Sequence, residues 1–94
     1  MELNQEAKHQ LKKGDTYFKA IFIDGEANHK YAIGYYTSRI EANKALDRWV
    51  EDIIDGGFAG LTSEDDMYVV EYVVVSVGEQ WRAKATCSFS EENA

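Results

Sequence analysis

Between Ser38 and Asp55, Ala42, Ala45, Leu46, Trp49, Val50, Ile53 and Ile54 recur at three- and four-residue spacing, which draws one broad apolar stripe along a helix. Ser38 and Glu41 stand as S-x-x-E just ahead of it, a capping box that satisfies free backbone N–H groups at a helix start. Gly56 follows where a left-handed residue ends a helix. The spacing predicts a helix over Arg39–Asp55, ~26 Å long at 1.5 Å per residue. A stripe this wide must be buried, and the flanking sequence supplies the surface.

On the leading side, TYFKAIFID and HKYAIGYYT enclose the turn DGEAN and are rich in aromatic and β-branched residues, the pattern of a hairpin. Phe18, Ala20 and Phe22 share one face of the first strand, and Tyr17, Lys19, Ile21 and Ile23 the other. Neither face is cleanly polar. On the trailing side, MYVVEYVVVSV, the turn Gly78-Glu79 and QWRAKATCSFS form a second hairpin. A two-residue turn of type II′ sets Val77 opposite Gln80. Counting back from there, Trp81, Ala83, Ala85, Cys87 and Phe89 share a face with Tyr68, Val70, Tyr72 and Val74. Val73, Val75 and Val77 lie on the reverse with Arg82 and Lys84, and Glu71 is diagonal to Lys84. The small alanines leave room for the helix, so the first set is expected beneath Leu46, Trp49, Val50 and Ile53. Leu3, Ala7 and Leu11 in ELNQEAKHQLKK fall on one face of a short first helix, with early acids, late lysines and Gly14 as its stop.

The expectation is an α+β fold: a four-stranded antiparallel sheet in ββαββ order, one main helix on one face, and a short N-terminal helix in front. The chain reads as a single domain over residues 1–94, with 1–14 a short helix or partly disordered arm. Ninety-four residues support one core and not two. No apolar run approaches the ~20 residues of a membrane span, no signal peptide opens the chain, and the lone Cys87 fits a reducing compartment. The expected location is cytoplasmic.

Charge is the second constraint. Residues 1–48 hold seven acids and eight bases, residues 49–81 eight acids and no base, and residues 82–94 two of each. The net charge of −7 therefore arises within one third of the chain, and it excludes sequence-independent binding to nucleic acid or anionic lipid. Glu51, Asp52 and Asp55 crowd the end of the helix where the dipole disfavours anions. Asp47, Glu51 and Asp55 stack at i, i+4 and i+8, each pair repelling by roughly 0.2–0.5 kcal/mol. A helix that keeps these penalties keeps its acids for a partner, and Glu64, Asp65 and Asp66 extend the set.

Signals for chemistry are few. His9 and His29 lie on different elements without ligand spacing, so no metal is expected. Cys87 alternates with core residues and reads as a small buried hydrophobe. DGGFAG follows a helix end among carboxylates, where a phosphate would be repelled, and TSEDD lacks the spacing of a calcium loop. No cofactor and no enzyme activity are expected. The leading reading is an acidic binding protein that recognises a basic, nucleic-acid-handling protein through Asp47, Glu51, Asp52, Asp55, Glu64, Asp65 and Asp66. By analogy of kind, its favoured instance is a phage inhibitor of bacterial defence, such as an anti-CRISPR or anti-restriction protein. One helix offers about one charge per 6 Å against one per ~1.7 Å in duplex DNA, so local pairing with Lys and Arg is expected rather than duplex mimicry. The alternative is a homodimeric structural or accessory protein using an apolar second sheet face with Tyr31, Ile33, Tyr35, Val73 and Val75. An enzyme of unknown class stands third.

Overall fold

The computed structural model describes residues 1–25, 27–55, 66–86 and 91–93, and for residues 53–55 and 93 the backbone alone. The chain runs β1 (Glu2–Leu3), α1 (Gln5–His9), β2 (Thr16–Asp24), β3 (His29–Tyr36), α2 (Arg39–Asp55), β4 (Asp66–Ser76), β5 (Arg82–Ala85) and β6 (Glu91–Asn93). The strands form one antiparallel sheet in the order β1-β3-β2-β4-β5-β6. The fold is thus α+β with one main helix, but the sheet has six strands where four are expected. With β1 ahead of α1 and β6 after β5, the chain runs βαββαβββ rather than ββαββ. β1 has two residues and β6 three, too few for alternation to reveal them. The last expected strand is also shorter, ending at Ala85. Cys87 and Phe89 fall outside the described residues, as do the DGGFAG turn beyond Asp55 and TSEDD up to Asp65.

α2 occupies the expected span, and Ser38 Oγ accepts the Glu41 N–H at 3.2 Å to cap it. Its position on the sheet differs from the expectation. β2 pairs with β4 so that Tyr17 sits beside Tyr72 and Ala20 beside Val69. Ala42 and Leu46 of α2 bury against Ala20 and Tyr36, with Phe18, Ile33, Ala45 and Val69 packed around them. Trp49 lies 6.1 Å from Phe22 and 6.0 Å from Tyr31, ring to ring. The helix therefore covers the Phe18–Ala20–Phe22 face. Small residues decide this, since Ala20 and Ala42 let helix and sheet approach closely.

Trp81, Ala83 and Ala85 are buried, as expected, but on the reverse face and under a different cover. They join Leu3, Tyr17, Tyr72 and Val74 in one cluster, closed by Ala7, Leu11, Tyr35 and Val70. The helical turn itself is only Gln5–His9, capped by the Asn4 side chain on the Ala7 N–H at 2.7 Å. Leu3 belongs to β1 and Leu11 lies past the helix, yet all three apolar residues of the predicted face reach this cluster. Gly14 does not cap the helix, whose C-cap is Gln10. At φ +96° it turns the chain into β2, and its N–H donates to the Val74 carbonyl at 2.9 Å.

Two bulges set the register. In β2–β3, Ala20 faces Gly34 while Ile21 faces Ala32, so Ile33 is an extra residue. Beyond it the alternation inverts: Tyr35 faces Lys19, whereas Tyr31 faces Phe22 on the opposite side. In β4–β5 the expected pairs Tyr72–Ala85, Val73–Lys84 and Val74–Ala83 form, but Ser76 rather than Val75 meets Arg82. The connection is a 3-10 turn over Gly78–Gln80 with Gly78 at φ +90°, not a two-residue type II′ turn. Among the described residues, no helix is long and apolar enough to cross a membrane.

Leu46→Ala should destabilise the fold by ~2–5 kcal/mol in urea melts, since Leu46 is 4% exposed in the α2 interface. Gly34→Ala should cost about 1–3 kcal/mol, because its methyl would stand 2.7 Å from the Tyr36 hydroxyl and 3.1 Å from Cζ. Adding Tyr36→Phe, which removes the nearest of these atoms, should recover part of that loss in a double-mutant cycle.

Candidate functional site

Two groups of charged residues stand out, one on the surface and one in the core. On α2 the apolar residues turn to the sheet, which leaves Asp47, Glu51 and Asp52 exposed to solvent. None of the three makes an ion pair with a described residue. Lys44 and Arg48 are exposed on the same helix, so the ridge alternates in sign before turning wholly acidic past Arg48. Of Asp55 the backbone is described, ending α2. Glu64 and Asp65 lie outside the described residues. Asp66 opens β4 opposite Ile23, exposed, with its Oδ1 accepting the Met67 N–H at 2.8 Å. A groove of about 300 Å3 beside the ridge is lined by Glu2, Tyr36, Glu41, Lys44, Ala45 and Arg48. Its charges balance, and it selects no ligand by sign.

The residues expected on an apolar dimer face do not form one patch. The Ile33 bulge separates them: Tyr35 turns into the α1-covered cluster, Ile33 packs beneath α2, and Tyr31 is 38% exposed beside Trp49. Val73 and Val75 are half-buried on β4, with Val75 as the extra residue of the second bulge.

The core group was not legible in advance. β6 lies against β5 with Glu92 opposite Ala83, which places its carboxylate on the α1-covered face. The Tyr17 hydroxyl donates a short hydrogen bond to Glu92 Oε2. The Tyr35 hydroxyl donates to Oε1 at 2.9 Å, and Lys19 Nζ reaches the same oxygen at 3.1 Å. Lys8 Nζ from α1 stands 3.7 Å from Oε1, with the residue only 2% exposed. Its ammonium lies 4.1 Å from the Tyr35 ring centre, 5.2 Å from Trp81 and 6.0 Å from Tyr17. Tyr17 stacks on Tyr72 at 5.3 Å, and His9 meets Trp81 edge-on at 4.8 Å. The Trp81 indole N–H is buried with no acceptor among the described residues.

Burial and charge act on each member. Burial alone would raise the Glu92 carboxyl, but the Tyr17 hydrogen bond, Lys19, the Tyr35 bond and Lys8 outweigh it and hold it below its ordinary value. Burial lowers the Lys8 ammonium, and Glu92 opposes that only in part. Burial and the bond to Glu92 push the Tyr35 hydroxyl up to about 12 and raise Tyr17 further. Two ammonium groups thus share one carboxylate inside an aromatic wall. Every charge there has a partner within the molecule, which is the arrangement of a structural clamp. No three His, Cys, Asp or Glu side chains gather as a metal site among the described residues.

Comparison of the chain with protein-family models, with curated proteins and with solved structures finds no match.

The clamp sets how stability depends on pH. Glu92 contributes fully above its ordinary value of 4.5, and its contribution is lost as pH falls through the lower folded value. Tyr35 contributes below its ordinary value of 10 and loses that contribution as pH rises from 10 towards about 12, Tyr17 acting in the same direction. Unfolding followed by tryptophan fluorescence should therefore show a loss below about pH 5 and a tyrosine-driven loss above pH 10. The latter is partly offset, because the lowered Lys8 ammonium costs less as it deprotonates. Glu92→Gln should cost about 3–5 kcal/mol, because it strands a buried ammonium, whereas Lys8→Met should cost less than about 1 kcal/mol. Equal losses in the two variants would contradict a clamp centred on the carboxylate.

Proposed function

We propose that the protein is a small acidic binding module, without catalytic activity, that docks on a basic surface of a nucleic-acid-handling protein and blocks or regulates it. The observation that carries this reading is the outer face of α2: Asp47, Glu51 and Asp52 are exposed and have no ion-pair partner among the described residues. Their helix is fixed to the sheet by Ala42 and Leu46. Rigid backbone beneath unpaired charge reduces the ordering cost of binding, and the net charge of −7 steers the molecule towards cationic surfaces. An inhibitor that occupies a nucleic-acid channel, of the anti-CRISPR or anti-restriction kind, remains the favoured instance by analogy. The homodimer reading has less support, since its five residues are distributed over both faces and a bulge.

The test is capture from bacterial lysates at low and high salt, with the wild type and an Asp47→Asn/Glu51→Gln/Asp52→Asn variant as baits. The wild type should retain basic nucleic-acid-binding proteins at low salt and release them as salt rises, because the Debye length falls to about 8 Å at physiological ionic strength. The variant should lose them while gaining a few tenths of a kcal/mol per site in stability. An unchanged set of captured proteins would overturn the acidic-ridge reading.

A further inference from the structure

We infer that Tyr17, Tyr35, Trp81 and Glu92 form a binding pocket for a primary alkylammonium group, filled at rest by Lys8 and open to a lysine of a partner protein when β1 and α1 lift from the sheet. A lysine is almost never fully buried unless its charge is matched, and here the match has the chemistry of an ammonium receptor. Ring centres surround Nζ at 4.1, 5.2 and 6.0 Å, within the range at which aromatic faces attract a cation. One carboxylate oxygen stands 3.7 Å away to fix the charge.

The receptor and its occupant belong to different parts of the fold. The rings and the carboxylate stand on β2, β3, β6 and the residue before β5, and Lys19 holds the carboxylate from the sheet itself at 3.1 Å. The occupant stands on a helix of five residues preceded by a strand of two. An isolated helix below ~12–15 residues is marginal in water, so within this plug α1 is held by Ala7, Leu11 and Lys8 rather than by its own hydrogen bonds. β1 is held by Leu3, its two-residue ladder with β3 and the Thr37 N–H on the Met1 carbonyl, and the lift of the plug breaks all of these contacts. Lifting it opens the aromatic wall while leaving the wall's own strands paired. The identity of the incoming lysine rests on the basic-partner reading above. The pocket does not, and its test shares no residue with that reading.

The experiment uses the full chain carrying Lys8→Ala, melted in n-butylammonium chloride, in n-butanol and in sodium chloride at matched concentrations. n-Butylammonium should raise the melting temperature of this variant saturably and by more than n-butanol does. Should the variant be unfolded, the same comparison is read as refolding by far-UV circular dichroism. Equal effects of the amine and the alcohol would overturn the pocket. For the plug, amide exchange is measured on the wild type in n-butylammonium against sodium chloride. Protection at Ala7 and Lys8 should fall as the amine displaces the Lys8 side chain, and unchanged protection would overturn the exchange of Lys8 for an outside amine.

Discussion

Glu92 accepts hydrogen bonds from Tyr17 and Tyr35, holds Lys19 at 3.1 Å and carries Lys8 at 3.7 Å, so one carboxylate joins β2, β3, α1 and β6. A charge in that position is expensive to desolvate and tolerable only when fully partnered. Its partners are therefore constraints on the whole sheet. β6 must align with β5 to bring Glu92 opposite Ala83, and α1 must lie over Trp81 for Lys8 to reach it. Tyr17 and Lys19 stand 75 and 73 residues away along the chain. The clamp consequently forms only when residues from distant parts of the chain are in place, and each such closure costs loop entropy.

The sheet that supports it is two-sided in an unequal way. On the α2 face, small residues and Leu46 give an apolar helix–sheet interface. On the α1 face, aromatic rings and alanines pack with Leu3, Ala7 and Leu11, and the charged Lys8 and Glu92 lie among them. The Ile33 bulge makes both possible. By inverting the alternation of β3 it sends Tyr35 to the clamp and Tyr31 to Trp49, two tyrosines that unbroken alternation would place together.

The sequence revealed long periodic elements and failed on short ones. The α2 span and the β2 strand follow from periodicity alone, because each rests on many residues. The pairing of Tyr72 with Ala85 is instead counted from a type II′ turn, whose place a 3-10 turn and a bulge take. β1 and β6 rest on two and three and leave no pattern. The face chosen by α2 was misread because Ala83 and Ala85 resemble room for a helix, whereas Ala20 beneath Ala42 is where the helix packs. Of the two bulges, only the first has a residue beside it, Gly34, that hints at it in the sequence. In the candidate sites, the exposure of Asp47, Glu51 and Asp52 follows directly from the helix stripe. The clamp does not, since Lys8 and Glu92 read as ordinary solvated charges. Its single trace was Lys19 in an otherwise apolar strand face.

The brevity of β1 and β6 has a consequence for how these molecules meet one another. An open sheet presents unpaired backbone at its two margins, and long flat margins invite intermolecular strand addition and fibre growth. Here β1 covers β3 only at Tyr35 and Tyr36, which leaves the outer side of residues 29–34 without a paired strand among the described residues. At the other margin β6 offers three residues and carries the exposed Glu91. At β6 a neighbouring strand would find few donors and acceptors to zip against and would meet the Glu91 carboxylate as it did so. Within the long β4, the valine-rich stretch at Val73 and Val74, the segment best suited to templating cross-β stacking, is paired with β5 on one side and meets Thr16, Asp15 and Gly14 on the other. Strand addition is thus resisted by brevity at the β6 margin, whereas along β3 the net charge of −7 is what keeps copies apart.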